Sequence, residues 1–140
     1  MFLGEYAYTL DDRGRIAIPT RFRDDFKAGL VLARGMDKCV TAYPPESWQR
    51  LTQQLESLSF TRGDARRLQR AIYAGAFEAE LDRQGRVLVP ASLREFAGIR
   101  QEVAVVGTND HLELWDQEAW AQERQALDSQ IAEIAERLNG

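Results

Sequence analysis

Apolar residues alternate along this chain, then gather into helical stripes, and the whole order comes round twice. In residues 5–10, Tyr6, Tyr8 and Leu10 occupy every second place, the spacing of a strand with one face against a core. Asp11-Asp12-Arg13-Gly14 interrupts the alternation with turn residues, Gly14 being free to take positive φ. Residues 15–18 resume a strand with Ile16 and Ile18 inward. Pro19 stops it, because proline has no N–H for a ladder. A short helical turn through Phe22 and Phe26 is predicted next. Residues 30–33 and 39–43 then form a second strand pair around Gly35-Met36-Asp37-Lys38. Its counterpart later in the chain is residues 102–106 and 112–115, around Gly107-Thr108-Asn109-Asp110.

A helix is predicted after each of these pairs. Pro45 suits a first helical position, and Trp48, Leu51, Leu55 and Leu58 follow at spacings of three and four that make one stripe. After the second pair Asp116 suits an N-cap. Trp120, Arg124, Leu127, Ile131, Ile134 and Leu138 then form a heptad-like seam, interrupted only by Arg124, which needs something to pack against. Between the halves, Gly63-Asp64 breaks the chain, and Asp64 is expected to cap a helix through Tyr73 that carries Arg66, Arg67 and Arg70. With no long flexible linker, the halves are expected to be docked.

The repeat is explicit in the residues. Leu10 to Pro19 aligns with Leu81 to Pro90, and Phe22-Arg23 with Leu93-Arg94, at an offset of 71. Farther on, Gly35 meets Gly107, Val40 meets Leu112, Tyr43 meets Trp115, Glu46 meets Glu118 and Trp48 meets Trp120, at an offset of 72. One inserted residue in the second copy accounts for the step. The expected organisation is a first module over residues 5–48, connecting helices over 49–75, a second module over 76–121 and a C-terminal helix over 122–140.

Composition changes this picture little. At 44% hydrophobic and 29% charged, the chain falls in the ordinary globular range. No stretch approaches the roughly 20 apolar residues of a membrane helix, and Met1 to Glu5 lacks the marks of a signal peptide. Cys39 is alone and cannot form an internal disulfide, so a reducing cytoplasm is expected. With His111 as the single histidine, neither a metal site nor a cofactor is expected. Charge matters more. The net value is −4, but residues from Asp110 onward hold eight acids and two arginines, so residues 1–109 carry +2. Exposed charges more than about 10 Å apart are largely screened, so the total does not decide the partner.

The candidate chemistry lies in the repeated turn. Arg13 and Arg15 are two apart on one arm and leave it on one face; the second copy offers Arg83 and Arg86. Asp11 and Asp82, each four residues before an arginine, and Gly14 and Gly85 complete the motif. Arginine can donate bidentately to guanine edges or clamp phosphate, and a two-stranded ribbon fits the major groove. Spacing alone equally supports Asp11–Arg15 and Asp82–Arg86 as ion pairs that lock a turn. Trp48 and Trp120 read as core anchors. Asp11, Asp12 and Asp82 make a poor acid–base set, since each lies beside an arginine and no histidine, cysteine nucleophile or phosphate loop is near; an enzyme is not expected. A protein-interaction scaffold with structural arginines is the other class these residues permit.

Taken together, Met1-Phe2-Leu3-Gly4-Glu5-Tyr6, the doubled Asp-x-x-x-Arg, the Gly-Arg-(Ile/Val)-x-(Ile/Val)-Pro strands, and Leu114-Trp115 with Trp120 resemble the MraZ family over nearly the whole chain. The resemblance implies an α+β fold with a mainly β core: two tandem AbrB/SpoVT-like swapped-hairpin modules forming a pseudo-twofold β-barrel with flanking helices. It implies a nucleoid-associated transcriptional regulator that assembles into rings of subunits. Such a regulator would bind repeated sites in double-stranded promoter DNA ahead of the division and cell-wall gene cluster and its own gene. It places the family's paired residues at Asp11 and Arg15 and at Asp82 and Arg86. Arg13 stands where a basic residue is usual. Its counterpart, Gln84, departs from that pattern, leaving Arg83 as the basic neighbour in the second turn.

Overall fold

The computed structural model describes residues 1–140. Its strands are β1 (Glu5–Thr9), β2 (Arg15–Ala17), β3 (Leu30–Arg34), β4 (Val40–Tyr43), β5 (Phe77–Ala79), β6 (Arg86–Leu88), β7 (Glu102–Gly107) and β8 (Leu112–Asp116). The helices are α1 (Pro45–Glu56), α2 (Gly63–Ala74), α3 (Ala91–Ala97) and α4 (Gln117–Asn139). A 3-10 stretch, Thr20–Phe26, stands in the first half where α3 stands in the second.

The arms that precede each turn do not close on their own halves. β1 runs antiparallel to β7, with Tyr6 opposite Val105, and β5 runs antiparallel to β3, with Val31 opposite Glu78. β3 pairs with β4, β7 with β8, and β4 joins β8 at the centre. The result is one six-stranded antiparallel sheet in the order β1-β7-β8-β4-β3-β5. β2 and β6 pair only with each other, with Ile16 opposite Val87.

That last pairing corrects the expectation of a barrel. The large sheet is open, with β1 and β5 as its edges, and the β2–β6 ribbon lies apart as a second, two-stranded layer. The ribbon's own hydrogen bonds explain why it does not bridge those edges. Beyond each strand the next amide turns to the other half, Ile18 N–H to the Gly85 carbonyl and Val89 N–H to the Gly14 carbonyl, both at 2.9 Å. Pro19 and Pro90 follow and end the ladder.

Alternation along the ribbon buries one face. Ile16, Ile18, Val87 and Val89 join Leu30, Leu32, Val103, Val105, Leu112 and Leu114 of the sheet in one core, closed by Phe22, Phe26 and Leu93 from the helical turns. Phe2 enters the same core and stacks on Phe26. A smaller cluster comprises Ala104, Val106, Trp115, Cys39 and Trp120, the last from the first turn of α4. Glu5 reaches the same helix: it accepts from Trp120 Nε1 at 2.9 Å and pairs with Arg124.

The helix ends follow local chemistry, with one correction. Pro45 begins α1, and the Asp116 carboxylate accepts from Ala119 N–H at the start of α4. Asp64 does not cap α2. The helix begins one residue earlier, at Gly63, and Asp64 lies inside its first turn, where a carboxylate suits the helix dipole without a capping bond.

Candidate nucleic-acid interface

Each Asp-x-x-x-Arg segment folds into the same turn because one carboxylate satisfies several donors at once. Asp11 Oδ1 accepts from the backbone N–H groups of Arg13 and Arg15, both at 2.9 Å, and Oδ2 accepts from Arg15 Nε at 2.7 Å. Asp82 does the same for the N–H groups of Gln84 and Arg86, and for Arg86 Nε at 3.0 Å. Both turns are closed by a glycine at positive φ, 79° at Gly14 and 76° at Gly85, a region costly for other residues. The Arg15 amide hydrogen bond, helped by the Arg15 guanidinium and the Arg13 amide, overcomes partial desolvation and lowers the Asp11 carboxyl to about 2. Asp82 is shifted the same way, first by the Arg86 amide.

The structure brings the two turns together. Arg86 Nη1 lies 3.5 Å from Asp11 Oδ2, so Asp11 is shared by Arg15 and Arg86. Both arginines stand on the outer face of the ribbon. The register puts Arg15 opposite Leu88 and Ala17 opposite Arg86, with Ile16 and Val87 buried beneath. Directly opposed residues project to the same side, so this face consists of Arg15, Ala17, Arg86 and Leu88. Arg15 uses only Nε internally, which leaves its two terminal nitrogens as a free fork. Arg13 and Arg83 are exposed at the turns, and neither pairs with a carboxylate.

Two further arginines belong to this arrangement, which the sequence shows only as an aligned pair of the repeat. Arg23 Nε donates to the Ile18 carbonyl at 2.9 Å, and Arg94 Nε donates to the Val89 carbonyl at 3.0 Å. Each guanidinium lies over the turn of the other half: a Cβ on Gly85 would fall 2.1 Å from Arg23 Nε, and one on Gly14 would fall 3.1 Å from Arg94 Cζ. The signal was present in the repeat, which aligns Arg23 with Arg94. Their targets, however, are 62 and 80 residues away along the chain. Each turn thus gathers guanidinium groups from both halves, Arg13, Arg15 and Arg94 at one and Arg83, Arg86 and Arg23 at the other.

Trp48 and Trp120 take part in packing away from this face. Trp48 is half-buried against Tyr43 and Tyr73, and Trp120 lies against Trp115. His111 is hydrogen-bonded to Asp110 at 2.7 Å beside the Tyr43 ring, distant in the topology from the ribbon turns. No cluster of three His, Cys, Asp or Glu side chains is arranged to hold a metal ion, and no helix is long and apolar enough to cross a membrane.

The family model described as "MraZ protein, putative antitoxin-like" matches this chain twice, over residues 1–71 and 72–140. A protein of Thermomicrobium roseum named Transcriptional regulator MraZ is 46% identical over 138 residues, covering 99% of this chain and 97% of its own length. A protein of the same name from Moorella thermoacetica is 44% identical, covering 99% and 96%. Another, from Dehalococcoides mccartyi, is 43% identical over 141 residues, covering 100% and 99%.

Proposed function

The chain belongs to the MraZ family, and we propose that it is a transcriptional regulator that reads double-stranded DNA through the outer face of the β2–β6 ribbon and its two turns. The observation that carries this reading is the shared, preset pair of guanidinium groups: Asp11 and Asp82 orient Arg15 and Arg86 on one exposed face of a two-stranded ribbon. An unoriented surface arginine must give up side-chain freedom to bind; these two have given up much of it already. Arg15 and Arg86 are the base-reading residues of the proposal. Arg13 and Arg83, with Arg23 and Arg94 beside them, hold phosphates. Gly14 and Gly85 give the turns their shape.

In this reading residues 5–48 and 76–121 are AbrB/SpoVT-like swapped-hairpin modules, supported by the exchanged pairings β1–β7 and β5–β3. Residues 49–75 connect them, and residues 122–140 are a separate helix. The targets are repeated sites in the promoter of the division and cell-wall gene cluster and of the chain's own gene, and the protein acts in the cytoplasm at the nucleoid. The relatives' shared name supports the regulatory role.

Copies of the chain assemble into a ring. The support is a contrast between helices that the repeat places in equivalent positions. α2 gives partial cover to the stripe of α1, with Gln69 Nε2 donating to the Leu55 carbonyl and Tyr73 against Trp48, and Leu55 is buried. α4 has no such cover, and Leu138 at its end is 83% exposed. α4 carries five carboxylates and two arginines, which disfavours packing α4 on α4. The α1–α2 hairpin offers Arg62, Arg66, Arg67 and Arg70 with an exposed Phe60, a matching surface for the α4 of a neighbouring copy. A head-to-tail contact of that kind generates a ring when its rotation closes and an open filament when it does not.

Footprinting on the chain's own upstream region at several salt concentrations tests the DNA reading. Wild type is expected to protect repeated sites and to weaken steeply with salt. Arg15→Ala and Arg86→Ala should lose about 1–3 kcal/mol on the preferred sequence. Equal binding by wild type and both variants, with circular dichroism unchanged, would leave the arginines as turn locks and favour the scaffold.

A further inference from the structure

The ribbon's outer face holds one residue for which packing gives no reason. Leu88 is 54% exposed, while its neighbours Val87 and Val89 are buried in the core. A single exposed leucine is ordinary on a protein surface. This one stands directly across the ribbon from Arg15, on the same side as Ala17 and Arg86. Opposed side chains on such a ribbon begin about 5 Å apart. The base-pair rise is about 3.4 Å, so a ribbon lying in the major groove with Arg15 on a guanine edge would set Leu88 against the adjacent base pair. The apolar group that the major groove presents there is the 5-methyl of thymine.

The repeat makes this position unequal. Ala17 is the counterpart of Leu88 at the offset of 71, and its single methyl is too short to reach what a leucine reaches. Arg15 and Arg86 are equivalent, but the apolar residue facing each is not: Leu88 opposes Arg15, and Ala17 opposes Arg86.

We propose that Leu88 is a specificity-determining residue that packs on the 5-methyl group of a thymine next to the base read by Arg15, so that the two halves of one chain prefer different bases. The proposal rests on the DNA-binding reading above.

Uracil, which is thymine without that methyl, supplies the test. Duplexes of the chain's own upstream region are made with thymidine or with deoxyuridine and titrated with full-length wild type, Leu88→Ala, Leu88→Met and Ala17→Leu. Wild type is expected to bind the thymidine duplex about threefold to fivefold more tightly for each methyl contacted, the worth of burying one such group. Leu88→Ala should bind both duplexes alike, Leu88→Met should keep the preference, and Ala17→Leu should gain a second one. The salt dependence of Leu88→Ala should match wild type, since no charge is removed, whereas that of Arg15→Ala should be shallower. Comparing variants across both duplexes cancels any effect of uracil on DNA stiffness. A thymidine preference in Leu88→Ala equal to that of wild type overturns the inference while leaving DNA binding intact. Absence of wild-type binding to the thymidine duplex overturns both.

Discussion

At the scale of single residues, the turn is a device whose parts differ in how far along the chain they lie. Asp11, Arg13, Gly14 and Arg15 are consecutive or nearly so, and the network they form was legible because carboxylate, amides and guanidinium all fall within five residues. Arg23 and Arg94 were not legible as partners of the turns, because each crosses to the other half. This difference has a measurable consequence. Gly85→Ala should destabilise the fold more than Gly14→Ala. Both add strain at positive φ, about 1–3 kcal/mol, but only the former drives Cβ into the Arg23 guanidinium, and urea midpoints of the two variants give the comparison. The same turn sets an acid dependence. The Asp11 carboxyl is held at about 2 in the fold against an ordinary 3.8, so folding favours its ionised form. Its contribution is complete above pH 3.8 and is lost as the pH falls toward about 2. The stability gap between wild type and Asp11→Asn, measured by chemical denaturation, should therefore be constant above pH 4 and narrow below it. A gap that widened on acidification would contradict this assignment.

At the scale of elements, local chemistry predicted the strands and helices well, and the pairs β3–β4 and β7–β8 with them, but not the partners of β1, β2, β5 and β6. Residues 5–10 and 15–18 alternate as strands should, and Pro45 and Asp116 mark helix starts where the structure has them. A strand's alternation says which face it buries and nothing about which strand lies beside it, so β1 beside β7 and β2 beside β6 could not be read from the pattern alone. The barrel came from the resemblance and not from this pattern, and the open six-stranded sheet with its separate ribbon replaces it. The seam of α4 was legible from its heptad-like spacing, but not its lack of cover, since nothing in the chain beyond Trp120 folds back on it as α2 folds on α1. Trp120 is buried, and no residue of α4 after it is. A chain ended at residue 125 should accordingly keep its near-ultraviolet circular dichroism, the signature of the single-chain fold, while losing helical signal and the assembly that α4 joins. Trp120→Ala, which empties the smaller cluster, should cost about 3–5 kcal/mol.

At the scale of the whole molecule, charge and assembly belong to one problem. A net charge of −4 does not favour DNA, yet the excess of acids over bases lies from Asp110 onward while the ribbon turns are basic. If α4 docks on the basic α1–α2 hairpin of a neighbour, its carboxylates are neutralised by Arg62, Arg66, Arg67 and Arg70, and the ribbon face is left as the dominant exposed charge. Assembly would then do two things together: remove a repulsive surface and set several ribbon faces on spaced sites. Linking sites in this way raises affinity by about 10²–10⁴ without any new contact. The double variant Ile131→Glu with Leu138→Glu places charge on the exposed stripe of α4, far from the ribbon in sequence and outside the core. Light scattering should show large assemblies for wild type and single chains for the variant. Binding to one isolated site should change little, and binding to an array of sites should fall toward the single-site value. A variant that stays assembled would show that α4 is not the joint, and a wild type that is itself monomeric at micromolar concentration would remove the ring. If instead the variant dissociates but keeps full affinity for the array, each ribbon binds strongly enough alone, and the basic turns need no help from their neighbours.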